Sequence, residues 1–284
     1  MIIKKINNLA KSTLDLKLKC QEYGQTKVFY QYTTHPLRVS QPFHLEQNTS
    51  KRIYLYLRNN SPGLFPEDEL NLALQLEQGS QLYLTEQAAT KVHPASEQSL
   101  AARVNYQITI QENAGLEFVP EPLILYADAA LKQSTNIQID PSSKLFWSEI
   151  VLPGRLARGE SYQFHYYDSL LNVTSSEGKL LFKDRSYLSG KNNQFIDSSL
   201  FAAYPVMGTA IAVYPEINCY QLQKAIDNLK TNNFTVATST LPFEQGIIIR
   251  VLADKSEQIK NYFRSVLNSI RLMNNDSELP YIPK

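Results

Sequence analysis

Four short apolar stretches in this chain each end in a carboxylate. They are Leu82-Tyr83-Leu84-Thr85-Glu86, Leu116-Glu117-Phe118-Val119-Pro120-Glu121, Leu145-Phe146-Trp147-Ser148-Glu149 and Leu180-Leu181-Phe182-Lys183-Asp184. Residues i, i+2 and i+4 of a strand share one face. Glu86 therefore continues the row of Leu82 and Leu84, Glu149 that of Leu145 and Trp147, and Asp184 that of Leu180 and Phe182. In the second stretch Pro120 shifts the phase by one. A carboxylate that extends an inward apolar row needs an arginine, a metal or water, because an unpaired buried charge costs several kcal/mol. Two readings stay open. One is ion pairing with Arg103, Arg155, Arg158 or Arg185, or a strand end already in solvent. The other is a row of oxygen ligands along a wet passage, which suits loose, transient handling of a divalent cation.

Other chemistry has no recognisable pattern. There is no G-x-x-x-x-G-K-[ST]; Ser189-Gly190-Lys191 has only the tail of one. There is no G-x-S-x-G and no H-E-x-x-H. His35, His44, His93 and His165 fall in no metal-ligand spacing, and Cys20 and Cys219 read as small buried hydrophobes. Two acids facing each other about 5–10 Å apart across an open cleft would mark a glycoside hydrolase instead.

The elements that must position these acids are mostly strands. Leu14, Leu16, Leu18 and Cys20 alternate with polar residues, as do Leu70, Leu72, Leu74 and Leu76, and Val104, Tyr106, Ile108 and Ile110. Each carboxylate-ended stretch follows a polar turn: Gln78-Gly79-Ser80, Asn113-Ala114-Gly115, Pro141-Ser142-Ser143 and Ser176-Glu177-Gly178. The leading leucines stand 34, 29 and 35 residues apart. A repeat of this length predicts stacked supersecondary units, a mainly β, irregular helical coil of strands resembling a β-solenoid, or else a plain series of hairpins. Two helices are expected late. Leu222, Ala225, Ile226 and Leu229 follow an N-cap at Asn218, and Ile259, Tyr262, Phe263, Val266, Leu267 and Ile270 follow a capping box at Asp254 and Glu257. Strands are expected at Phe234–Thr240 and Gly246–Ala253. The organisation expected is a β-rich part over 1–215 and a small α/β part over 216–284 packed on it, or one continuous domain.

Composition bounds the function. The chain has 284 residues with 43% hydrophobic and 19% charged, too apolar for disorder. Its net charge of +1 gives no basic surplus for nucleic acid. Two cysteines exclude a disulfide framework and fit a reducing compartment. The charged start, Met1 to Asn8, has no apolar run behind it, and Phe201–Val213 is broken by Pro205 and Gly208. A soluble cytoplasmic protein is expected, in which the Asn-x-Ser/Thr triplets at Asn48, Asn172, Asn233 and Asn275 are incidental.

Several segments resemble one known family, in its order. Thr85-Glu86-Gln87-Ala88-Ala89-Thr90-Lys91-Val92 is similar to the T-x-Q-[AS]-[AST]-T-K-[VI] segment of the urease accessory protein UreD (UreH) family. Gly115 to Pro122 resembles its G-A-x-L-E-x-L-P-[QE]-[EP], and Leu125 to Ala129 its L-F-x-x-A. Trp147 to Glu160 resembles its W-x-E-x-x-x-x-G-R-x-A-x-G-E, and Leu180 to Arg185 its L-L-x-x-[DE]-R. Leu279 to Pro283 resembles the closing motif only loosely and lacks its arginine. Where the family has G-G-[LIV]-x-x-G-D, this chain has Pro62-Gly63-Leu64-Phe65-Pro66-Glu67-Asp68, with prolines in place of glycines that can take positive φ.

The resemblance implies a cytoplasmic maturation factor, not an enzyme. Its expected partners are UreF, the GTPase UreG and urease apoprotein, with a dimer within the accessory complex as one arrangement. It implies a mainly β coil with a few helices, no tightly bound cofactor, and nickel in transit through an internal tunnel. With the strand-face argument, Glu149 and Asp184 become the first conduit candidates, followed by Glu86, Glu121 and Asp68. The alternatives are a carbohydrate-active β-solenoid enzyme and a purely structural β-repeat interaction protein.

Overall fold

The computed structural model describes residues 13–22, 24–46, 51–96, 99–190, 197–229, 233–242 and 246–283. The charged start 1–8, Asn48 and Lys191, each used above, lie outside the described residues. In chain order, β1 (Leu14–Cys20) and β2 (Thr26–Thr33) precede β3 (Leu37–Val39) and β4 (Arg52–Asn59). Then come β5 (Glu69–Leu76), β6 (Gln81–Glu86) and β7 (Thr90–Val92), followed by β8 (Ala102–Ile110), β9 (Gly115–Val119) and β10 (Leu123–Leu125). The next pairs are β11 (Ala130–Ile139) with β12 (Lys144–Leu152) and β13 (Tyr166–Ser175) with β14 (Leu180–Ser189). A short helix, α1 (Ser199–Ala203), leads into β15 (Val206–Val213), α2 (Cys219–Asp227), β16 (Phe234–Thr240), β17 (Ile247–Ala253) and α3 (Ser256–Met273).

These strands form two mixed sheets. The first runs β14-β13-β11-β8-β5-β1-β2, and the second β16-β17-β15-β12-β9-β6-β4-β3, with β10 beside β12 and β7 beside β10. Three of the four repeat units behave alike. The strand before the turn joins the first sheet and the strand after it joins the second. Their registers do not slip: Leu82 lies beside Leu116 and Leu116 beside Leu145, while Leu72 lies beside Tyr106 and Tyr106 beside Thr135. The turns hold one another in step. The Gly79 N–H donates to the Glu112 carbonyl at 2.9 Å, and the Asn113 N–H donates to Ser142 Oγ at 2.9 Å.

The fourth unit departs from the expected coil. Ser176-Glu177-Gly178, with Gly178 at φ +83°, closes a hairpin, so β14 stays in the first sheet, antiparallel to β13. Leu180, expected to lead an inward row, is more than half exposed. Nothing follows to stack on this unit in the second sheet, where β15 instead pairs antiparallel with β12. The architecture is therefore mainly β with two mixed sheets.

Burial explains why alternation was visible in some strands and not in others. The first sheet packs one face inward, and β1, β5 and β8 alternate between buried and partly or fully exposed. The second sheet is covered on both faces. One face meets the first sheet through residues such as Leu84, Leu116 and Leu145. The other meets α2 and α3 through Phe146, Ala210, Ile249, Phe263 and Leu267. Arg52 to Leu57 in β4 are consequently all buried. The 216–284 segment adds β16 and β17 to this same sheet.

The late helices form where their apolar spacing places them. The Asn218 side chain accepts from the N–H groups of Tyr220 and Gln221, the N-cap expected for α2. For α3 the start lies one residue later than expected. Lys255 is the N-cap, and its N–H donates to Gln258 Oε1 at 3.4 Å. Asp254 precedes the cap, and Lys255 has no side-chain oxygen with which to complete a capping box.

A buried ionic cluster fixes α3 on the second sheet. Arg271, with 0% of its side chain exposed, donates to Glu117 in β9 at 2.5 and 3.0 Å, to Glu46 at 3.2 Å and to the Tyr54 hydroxyl at 3.1 Å. Arg52 reaches Glu46, Glu117 and Asp276 at 3.1–3.3 Å. Burial pulls the Arg52 guanidinium down, but Glu117, Asp276 and Glu46 outweigh it and hold it charged. Removing one member strands the others in low dielectric. Arg271→Met is expected to destabilise the fold by about 3 kcal/mol in denaturant unfolding. Arg271→Met with Glu117→Leu should cost less than the sum of the two single changes.

Candidate functional site

The unslipped registers bring three of the five sequence candidates into one place. Between the two sheets lies a cavity of about 60 Å³ walled by Leu72, Tyr106, Phe118 and Trp147, and Glu86, Glu121 and Glu149 all line it. Room for water needs about 10–15 Å³ on the same measure, so this space is large enough for it. A smaller cavity of about 20 Å³ adjoins and shares Gln133, Trp147 and Glu149. Asp184 and Thr209 line its far side. A third cavity, of about 160 Å³ under α3, shares Pro120 and Glu121 with the first. Glu121 and Glu149 thus each stand at a junction of two spaces. Asp68 is elsewhere: it is exposed, and its carboxylate accepts from the Phe65 N–H at 2.8 Å within the 62–68 loop.

Glu149, Asp184 and Glu121 each meet donors or a cation. Glu149 accepts from the Tyr167 hydroxyl at 2.5 Å and from Gln133 Nε2. Burial pushes its carboxyl above the usual glutamate range, against these two hydrogen bonds, and Asp184 adds to the rise. Asp184 pairs with Arg250 of β17 at 2.6 Å, and the same guanidinium donates to Thr209 at 3.1 Å. Glu121 pairs with Lys260 of α3 at 3.1 Å. The phenol of Tyr106 is driven well above its ordinary value by burial, with Glu86 and Glu149 contributing.

Three of the four arginines expected as counter-ions are engaged elsewhere. Arg103 faces Glu69 at 3.9 Å, Arg155 faces Glu160 at 2.5 Å, and Arg185 faces Asp168 at 2.9 Å. Arg250 and Lys260 were missed because one sits on a strand of the other sheet and the other on a helix, each far along the chain from its acid. The donors Gln133 and Tyr167 were missed for the same reason. No local pattern carried such a signal.

The other quoted motifs prove to be local architecture. In Gly154-Arg155-Leu156-Ala157-Arg158-Gly159-Glu160, a short 3-10 turn ends at Gly159 with φ +73°. Burial pushes the Glu160 carboxyl up, but Arg155 and the N–H groups of Ala127 and Arg155 bring it below its usual range. Arg155 lies over the Tyr126 ring at 4.5 Å, Tyr126 meets His93 edge-on, and His93 stacks on Phe65 at 4.3 Å. In the proline-containing loop Gly63 is still required: a Cβ there would lie 2.4 Å from the Lys91 carbonyl oxygen. Trp147 packs on Phe118 at 4.6 Å and Tyr106 at 5.3 Å.

Chemically, the site offers carboxylate oxygens set apart on the walls of adjoining cavities. Among the described residues no three His, Cys, Asp or Glu side chains are grouped to hold a metal ion together. Separated hard oxygen donors suit an exchanging divalent cation better than a resident one. The raised Glu149 value has a stability consequence. Its folded form holds the proton more tightly than the unfolded chain, so stability falls as pH rises from the ordinary glutamate range through the folded value. Glu149→Gln removes this loss. The variant is expected to melt higher than the parent near pH 7, and the gap should close toward about pH 4, the ordinary glutamate value. Thermal unfolding across pH checks this.

Comparison with known proteins bears on the whole chain. The family model described as UreD urease accessory protein matches residues 10–284. The urease accessory protein UreD of Trichodesmium erythraeum is 47% identical over 279 residues, covering 97% of this chain and 100% of the relative. The UreD of Bacillus cereus is 28% identical over 235 residues, 82% of this chain and 83% of the relative. The UreH of Helicobacter acinonychis is 31% identical over 193 residues, 68% and 71% of the two chains. The motifs quoted above, the mainly β fold and these alignments agree: the chain belongs to the UreD urease accessory protein family.

Proposed function

We propose that this chain, a non-catalytic urease maturation protein, acts in the cytoplasm with UreF and UreG on urease apoprotein and passes nickel along its interior carboxylates. Nickel is cargo here, and no cofactor is resident. The observation that carries the reading is the position of Glu149. It lies at the junction of two cavities, one shared with Glu86 and Glu121 and the other with Asp184. A divalent ion moving there would meet one or two oxygens at a time, with water completing its shell. Burial raises the affinity of the Glu149 carboxyl for a proton, so an ion and a proton would compete for it. Asp68, on its exposed loop, fits a partner-facing role better than a conduit one. Membership in a non-catalytic family sets aside the carbohydrate-active alternative.

Trp147 is the chain's single tryptophan and lines both cavities that Glu149 joins. Saturable quenching of its fluorescence by Ni²⁺, absent with Mg²⁺, is the expected sign of an ion in this space. Glu149→Ala with Asp184→Ala should weaken that quenching at least about tenfold, since charge-assisted contacts are lost on both sides of the junction. The same double variant should lower urease activation in cells at limiting nickel. Unchanged activation would leave the chain as a scaffold without a conduit.

A further inference from the structure

The helix-side face of the second sheet has two covers. Helix α3 packs on β12, β15 and β17. Over β4 and β6 lies the irregular stretch 277–283 that follows it. The Tyr56 hydroxyl of β4 donates to the Pro283 carbonyl. Leu279 and Ile282 share the wall of the cavity of about 160 Å³ with Tyr83 and Thr85 of β6 and with Glu121. Ile282 is buried at 7% exposure, whereas Tyr281 beside it is 81% exposed.

Side chains hold this stretch in place. Arg264 Nη2 donates to the Pro280 carbonyl at 2.6 Å, the Leu279 N–H to Asn268 Oδ1 at 2.8 Å, and Ser277 Oγ to Glu46 at 2.7 Å. Among the described residues no backbone-to-backbone hydrogen bond reaches 277–283, and Pro280 and Pro283 have no N–H with which to make one. The root just before it is fixed. The Asp276 N–H donates to the Arg271 carbonyl at 2.8 Å, and the Asp276 carboxylate pairs with buried Arg52 at 3.2 Å. A segment with few backbone bonds and few buried side chains opens locally while the rest of the fold stays closed.

We propose that residues 277–283 are a strap over the helix-side cavity, rooted at Asp276 and released as a unit, and that its release opens a way for an ion to reach Glu121. Release lifts Leu279 and Ile282 from the cavity wall and leaves Lys260, Arg264 and the sheet in place. Glu121 lines the inter-sheet cavity as well, so the strap stands at the helix-side end of the row of cavities. The opening of the strap is independent of any metal. Its part in ion entry rests on the nickel reading above.

Thiol labelling of the full chain, without metal, tests the strap. Ile282→Cys places a thiol beneath it, and Cys219, 8% exposed in α2, is the reference within the same molecule. The thiol at 282 should react at least about tenfold faster than Cys219. Tyr56→Phe with Asn268→Ala removes two anchors that do not line the cavity. This pair should speed labelling at 282 at least about tenfold more and leave Cys219, and hence the fold, unchanged. Equal rates at 282 and 219, or no response to the lost anchors, would overturn the strap. The same pair of substitutions, without Ile282→Cys, should speed Ni²⁺ quenching of Trp147 in stopped flow at least about tenfold. Faster labelling with an unchanged quenching rate would overturn the part in ion entry. No quenching even in the parent would instead sink the nickel reading and the ion-entry part with it, while the labelling rates still decide the strap.

Discussion

Two stacks of parallel strands advance side by side without slipping, and the interior of this molecule follows from that register. With Leu82, Leu116 and Leu145 in line, Glu86 and Glu149 fall level with each other and with Pro120. Glu86 at the end of β6, Glu121 just past β9 and Glu149 late in β12 then reach the same space. A slip of one residue in any ladder would turn that strand's apolar row to the opposite face. It would exchange Trp147 for Ser148 at the cavity wall and carry Glu149 away. The leucine rows stabilise the register and the register places the acids, so the same residues that build the core position the site.

Charge enters the interior twice, under different terms. On the helix side of the second sheet, Arg271, Arg52, Glu117 and Glu46 satisfy one another in a nearly dry setting. Such a cluster is weak evidence for net stability but a strong determinant of geometry, since any displaced member leaves an unpaired buried charge. It draws together β4, β9, the end of α3 and, through Asp276, the segment after it. On the inter-sheet side the acids are less enclosed and take their cations from Arg250 and Lys260, which are themselves partly exposed. The first cluster fixes the fold; the second arrangement leaves charge at a cavity wall.

What was legible in the sequence was set by how many faces an element buries. The one-faced strands β1, β5 and β8 announced themselves by alternation, and α2 and α3 by their apolar spacing. Strands such as β4 and β12, buried on both faces, lacked that alternation, so the second sheet's central place was hidden. The repeat was readable, but its fourth unit was not. The tight turn at Ser176 to Gly178 returns the chain as a hairpin, a choice that a spacing of 35 residues does not record. Three of the five candidate acids share one cavity and a fourth, Asp184, lies next door. Asp68 does not, because Gly63 and the capping bond to Phe65 turn its loop outward. Glu117 escaped notice for the opposite reason: flanked by Leu116 and Phe118, it looked like the solvent face of its strand. That face is covered by α3.

For the proposed passage of nickel, the counter-ions matter as much as the acids. Asp184 is already held by Arg250 and Glu121 by Lys260, so an arriving ion competes with a tethered cation at both ends of the row of cavities. Such competition lowers affinity at each step without removing the oxygen donors. A carrier needs that property, because an ion bound tightly at any one carboxylate would stop there. Glu149, midway, has among the described residues no side-chain cation in hydrogen-bond contact and is held instead by a phenol and an amide. Its raised affinity for a proton acts in the same sense, since ion and proton compete for the same oxygens. Weak binding along the route is then a consequence of how each carboxylate is already satisfied, by lysine or arginine at the two ends and by a phenol and an amide in the middle.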